Sequence, residues 1–139
     1  ESTIWPGAVL RADYGEIRIG ARTSVQDGTV VHSTATLPTI IGDDCVIGHI
    51  AHLEGCVIEN GSLVGSGSIV LHQAVVGAGA LVGAQALVGN NVRVPPRALA
   101  IGVPAKIRPD AVPENAFAAG AAMYTANGKR YREELRRID

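Results

Sequence analysis

Aliphatic side chains return every six residues along most of this chain, and that beat constrains the fold more than any other feature. They stand at Ile41, Ile47, Leu53, Ile58, Val64, Val70, Val76, Val82, Val88 and Val94, with one five-residue step between Leu53 and Ile58. Ile19, Val25 and Val31 extend the register backward. Gly follows directly at 42, 48, 65, 77, 83 and 89. Four places after the aliphatic residue the side chain is small or β-branched: Cys45, Ala51, Ser68, Ala74, Ala80, Ala86 and Val92. A period of this length reads as a short strand and a turn, and glycine relieves backbone strain at the turn. Three such strands close one triangular coil, and each aliphatic residue stacks on the one a coil earlier, ~4.8 Å away. No single repeat buries its apolar face; stacking does. The pattern predicts an all-β domain, a parallel β-helix over residues 1–112.

Composition agrees. Hydrophobic residues make up 47% of the chain but aromatic ones only 4%, so the core is built from small and β-branched side chains that suit a narrow stacked interior. The net charge of −1 gives no case for nucleic acid. No apolar run approaches the ~20 residues that cross a bilayer, so no membrane role is expected. Cys45 and Cys56 lack CxxC spacing and read as reduced, buried thiols of a cytoplasmic protein. The sequence opens at Glu1 in mid-pattern, so its start carries no information about a leader.

Two departures break the beat. The step from Val31 to Ile41 is ten residues, which predicts that Ser33 to Pro38 bulges out as a loop. Beyond Pro104 the beat stops. From Pro113 to Ile138 the spacing turns helical, with Phe117, Ala121, Tyr124, Tyr131, Leu135 and Ile138 roughly along one stripe. A C-terminal helical unit is therefore expected over 113–139, packed on the β-helix or a neighbour, with Gly120 and Asn127-Gly128 as weak points. The cations Lys129, Arg130, Arg132, Arg136 and Arg137 read as a solvated face offset by Glu133 and Glu134.

Stacking arithmetic locates the candidate chemistry. Val25, Ile47, Val64 and Val82 share one side of the triangle; Val31, Leu53, Val70 and Val88 share the next. Neighbours of an inward residue point outward. His32 and Glu54 therefore leave the same side one coil apart, close enough to share a metal ion. His52 also points outward, ~6.6 Å along the strand from Glu54, and His72 stacks near Gly55. His49 belongs to the adjacent side near a corner. It does not converge easily with His32 and Glu54 in one protomer, but a three-fold trimer would bring a neighbour's His49 into the groove.

The stretches WPGAVLRAD (5–13), IRIGARTSVQDGTVVH (17–32), IIGDDCVIGHIAHLEGC (41–56) and IGVPAKIR (101–108) resemble the gamma-class carbonic anhydrases and their close relatives among the hexapeptide-repeat proteins. The elements R-x-D, V-Q-D-G-x-V-x-H and I-G-H-x-A carry the likeness. The resemblance implies a left-handed parallel β-helix of hexapeptide repeats with a C-terminal α-helix. It implies a homotrimer with Zn²⁺, or another divalent ion such as Fe²⁺ or Co²⁺, held between subunits, and a small-molecule substrate, CO₂ or bicarbonate. The ligands carried over are His32, His49 from the adjacent protomer, and a third at position 54.

That third position is the main departure, because the family pattern has histidine where Glu54 stands. Three outcomes stay open: Glu54 ligates directly, since His₂Glu is a competent catalytic set; His52 substitutes; or the site is empty. A carboxylate ligand offsets the cation's charge and raises the pKa of a bound water, making it less acidic, relative to a neutral three-histidine set. By the same resemblance Gln26 contacts the metal-bound water. Arg11 and Asp27 form a charge pair across the subunit interface, with Asp13 orienting Arg11. Family members often carry Asn where Ser24 stands. Besides the metal-dependent lyase, two further readings stand: an inactive trimeric scaffold or binding protein, and, by fold analogy, a CoA-dependent acyltransferase, for which the β-helix offers no obvious basic phosphate patch.

Overall fold

The computed structural model describes residues 1–138 and forms five three-stranded coils. The first holds β1 (Thr3–Ile4), β2 (Val9–Arg11) and β3 (Ile17–Ile19). The second holds β4 (Ser24–Val25), β5 (Val30–His32) and β6 (Thr39–Ile41). The third is β7 (Val46–Ile47), β8 (His52–Glu54) and β9 (Val57–Ile58), and the fourth β10 (Leu63–Val64), β11 (Ile69–Val70) and β12 (Val75–Val76). The fifth is β13 (Leu81–Val82), β14 (Leu87–Val88) and β15 (Arg93–Val94). β16 (Leu99–Ile101) starts another coil, and β17 (Lys106–Arg108) turns back antiparallel to it. Ile107 stands opposite Ala100 in that pair and packs on the core, so the reversal closes one end of the stack.

Every third strand pairs in parallel, which makes three flat sides: β1-β4-β7-β10-β13-β16, β2-β5-β8-β11-β14 and β3-β6-β9-β12-β15. The coils wind as a left-handed β-helix. The predicted columns hold: Val25, Ile47, Val64 and Val82 stack on the first side, and Val31, Leu53, Val70 and Val88 on the second. All eight are fully buried. Cys45, Ala51, Ser68, Ala74, Ala80 and Ala86 are also buried, at the corners where only small side chains fit. Both thiols are free, and burial pushes Cys45 up to about 11 and Cys56 up to about 12. Residues 33–38 leave the stack as the expected loop, tied by Thr34 and Leu37 to each other.

The C-terminal segment differs in extent from its sequence pattern. The helix α1 runs Ala118–Glu134 rather than from Pro113 to Ile138. Asn115 sits in the left-handed region at φ 56°, and Leu135 is extended, so neither flank continues the helix. Residue 139 of the expected unit lies outside the described residues. α1 lies against β1 and β4 of its own chain. Ala121 is its buried residue, and Trp5 meets Tyr124 and Tyr131 edge-on at 6.3 and 5.2 Å. Gly120 and Gly128 do not interrupt it. At Gly128 a β-carbon would stand 2.2 Å from Thr3 Cγ2, so the glycine permits the close approach of helix and strand. Among the described residues no helix is long and apolar enough to cross a membrane.

Candidate functional site

The second side presents one polar row. Arg11, His32 and Glu54 are in direct register across β2, β5 and β8, each following an inward residue. His32 Nδ1 lies 2.8 Å from Glu54 Oε1, and His52 Nε2 lies 3.2 Å from Glu54 Oε2. His72, one coil on, stacks against Gly55 and brings Nε2 to 3.4 Å from Oε1, in charge-pairing range but misaligned for a hydrogen bond. Glu54 is thus the hub of three imidazoles, with its side chain only 22% exposed. The His32 contact holds its carboxyl down at about 2, against the opposing effect of burial, with His52 and His72 adding to the effect. On the far side of His32, Asp13 Oδ2 stands 3.7 Å from Nε2 and is ion-paired to Arg11.

His49 stands apart, on the turn between β7 and β8. Its Nδ1 lies 3.0 Å from Asp27 Oδ2, on the equivalent turn one coil earlier. Gln26 heads the same turn and is almost fully buried, and its Nε2 has no hydrogen-bond partner. Gln26 and His49 line a cleft of about 390 Å³ between the first side and α1, with Ser66, Phe117 and Tyr124. Ser24 Oγ accepts from Trp5 Nε1 at 2.9 Å.

The candidate residues therefore fall into two groups within one chain. His32, Glu54, His52, Asp13 and Arg11 sit together on the second side. His49, Asp27 and Gln26 sit together at the corner between the first and second sides. Among the described residues, no three His, Cys, Asp or Glu side chains are arranged to hold one ion. The donor chemistry nevertheless fits a shared site. A carboxylate that stays ionised can only accept, so His32 donates through Nδ1 to Glu54, and a cation held by both would displace that proton. His49 contacts Asp27 through Nδ1 and leaves Nε2 on the other edge of the ring. The orphaned amide of Gln26 beside His49 is an unused donor of the kind that a ligand-bearing site supplies. Sequence reasoning placed His72 near Gly55 but missed the His49–Asp27 pair, which depends on a contact between turns of different coils.

The coil geometry defines a hexapeptide-repeat protein, and residues 55–90 match the family model described as bacterial transferase hexapeptide (six repeats). The probable carbonic anhydrase of Methanocaldococcus jannaschii is 53% identical over 106 residues, covering 76% of this chain and 67% of that protein. The chain belongs to the gamma-class carbonic anhydrase-like proteins of the hexapeptide-repeat superfamily. The mitochondrial gamma carbonic anhydrase 2 of Arabidopsis thaliana is 42% identical over 111 residues, of which this chain spans 40% of the length. A solved hexapeptide transferase family protein from Anaplasma phagocytophilum superposes with a TM-score of 0.87 at 36% identity, covering 94% of this chain and 78% of that one. A solved putative acetyltransferase from Bacillus cereus gives 0.80 at 27% identity, covering 96% and 99%.

Proposed function

We propose that the protein interconverts CO₂ and bicarbonate at a divalent cation held between two copies of the chain in a homotrimer. The observation that carries the proposal is the direct register that sets His32 and Glu54 side by side on one face, with His49 on a turn that a three-fold neighbour would present to them. His32 and Glu54 of one copy, with His49 of the partner subunit, would hold the cation, and His52 is the substitute for Glu54. When bound, the cation supplies Lewis acidity for hydration chemistry and a counter-charge for an anionic product. Gln26 offers its unpartnered Nε2–H to an oxygen of the reacting group. Arg11 and Asp27 fasten the two copies, with Asp13 orienting Arg11.

A second copy is also supported by Ile50, the residue after His49. It is β-branched, sits in the left-handed region at φ 51° and is 68% exposed. Strain of this kind, about 1–3 kcal/mol, persists where the surroundings compensate for it. Burial of the Ile50 side chain against a neighbouring copy is such a compensation. Val9 and Ile69, outward and exposed on the second side, offer an apolar surface for it.

Metal analysis of the purified protein tests the reading. Wild type should carry a divalent ion, Glu54→Ala should lose most of it, and Glu54→His should raise CO₂ hydration at neutral pH, because a neutral ligand leaves the bound water more acidic. An intact trimer that takes up no zinc in either wild type or Glu54→His would sink the proposal and leave a scaffold. The solved acetyltransferase-like neighbour favours a second reading, CoA-dependent acyl transfer. Titration calorimetry with CoA separates the two.

A further inference from the structure

Three buried threonines stitch the corners of the β-helix in one pattern, and two of them bracket the candidate site. Thr23, Thr29 and Thr39 each expose no more than 1% of their surface. Each hydroxyl donates to a backbone carbonyl of another coil or loop edge and accepts a backbone N–H. Thr23 donates to Gly42 O at 2.7 Å and accepts from Cys45 N at 3.0 Å. Thr29 donates to Gly48 O at 2.7 Å and accepts from Ala51 N at 3.2 Å, so its two bonds enclose His49 and Ile50. Thr39 donates to His32 O at 2.5 Å and accepts from Gly55 N at 2.7 Å, so it joins the ends of the two strands that carry His32 and Glu54.

The Thr39 bridge substitutes for a ladder bond. In the parallel register His32 opposite Glu54, the N–H of Gly55 is due to reach His32 O directly, and that contact is stretched to 3.4 Å. The chain leaves the stack at His32 to make the loop of residues 33–38 and re-enters at Thr39. Its hydroxyl fills the gap at the base of that loop. Without it, the buried Gly55 N–H would be left with only the stretched contact, and the backbone ends of β5 and β8 would be joined by that contact alone.

We infer that Thr29 and Thr39 are positioning residues for the two halves of the metal site, Thr29 fixing the His49 turn and Thr39 fixing the His32–Glu54 pair. The inference rests on the carbonic-anhydrase-like reading for its purpose, but its geometry can be tested without metal. Thr23 makes the same stitch around Asp43 and Asp44, at a corner remote from both halves, and so reports the purely structural cost.

The experiment compares Thr23→Val, Thr29→Val and Thr39→Val with Thr39→Ser, each as the full chain. In metal-free protein, imidazole nitrogen spectra should lose the His32 Nδ1–H signature only in Thr39→Val and alter His49 only in Thr29→Val. Thr39→Ser, which keeps the hydroxyl, should restore the His32 signal. Zinc affinity should fall ~10–100-fold in Thr29→Val and Thr39→Val and stay unchanged in Thr23→Val. The inference is overturned if His32 and His49 keep wild-type signatures in the valine variants, or if Thr23→Val perturbs them equally. If wild type takes up no zinc, the functional reading fails while the nitrogen spectra still decide this one. Should a valine variant not fold, the wild-type spectrum decides: slowly exchanging hydroxyl protons on Thr29 and Thr39 are required, and their absence refutes the stitch.

Discussion

At the scale of the residue, Glu54 holds the site together because it stays charged. Its carboxyl is held at about 2 in the folded chain against an ordinary 4.5, first by His32 and then by His52 and His72. A depressed acid contributes stability above its unfolded value and loses that contribution as pH falls through its folded value. The melting temperature of wild type should therefore exceed that of Glu54→Gln at neutral pH. The gap should close between about pH 4.5 and pH 2. Calorimetric melting curves of the two proteins across that range check it, and a gap that persists unchanged at pH 2 would refute the assigned partners. The sequence made part of this site readable. Strand alternation alone sends His32 and Glu54 out of the same side one coil apart, and the register bears that placement out. It could not give the pairing of Asp27 with His49 across a turn, 22 residues away along the chain, with no periodic mark to announce it.

At the scale of the element, the strands are two or three residues long and owe their stability to the column beneath them. Val70 is fully buried between Leu53 and Val88. Val70→Asp places an unpaired charge there, and the loss should be ~3–5 kcal/mol, visible in a denaturant titration. The helix gives a contrast between two glycines. A β-carbon at Gly120 meets nothing within 4 Å, so Gly120→Ala should stabilise by ~0.5–1 kcal/mol through helix propensity. Gly128→Leu also introduces a good helix former, yet it should cost ~1–3 kcal/mol, because the new side chain collides with Thr3 and lifts α1 from β1. Trp5 fluorescence reports that separation through its contacts with Tyr124 and Tyr131. Here the sequence misled: Asn127-Gly128 reads as a break by composition, but glycine is present for closeness rather than for a turn. The six-residue columns, by contrast, were fully legible, since each position is dictated by a neighbour at a fixed spacing.

At the scale of the whole molecule, the candidate site is divided between a side and a corner, and the proposed homotrimer joins a corner of one copy to a side of the next. Each contact in such a ring is directional: one copy gives its His32 side and receives the neighbour's His49 turn. A chain with His32→Ala keeps its His49 turn, and a chain with His49→Ala keeps its His32 side. Neither should bind metal alone. Unfolded together and refolded, they should regain part of the wild-type zinc content, whereas simple mixing of preformed trimers should not until subunits exchange. In any mixed ring, whichever chain is in the majority, one junction alone sets an intact side against an intact turn. The recovered zinc therefore counts mixed rings, and the rate of its return after mixing measures how fast subunits leave and rejoin them. A division that looks like a defect in the single chain thus makes the metal a clock for assembly.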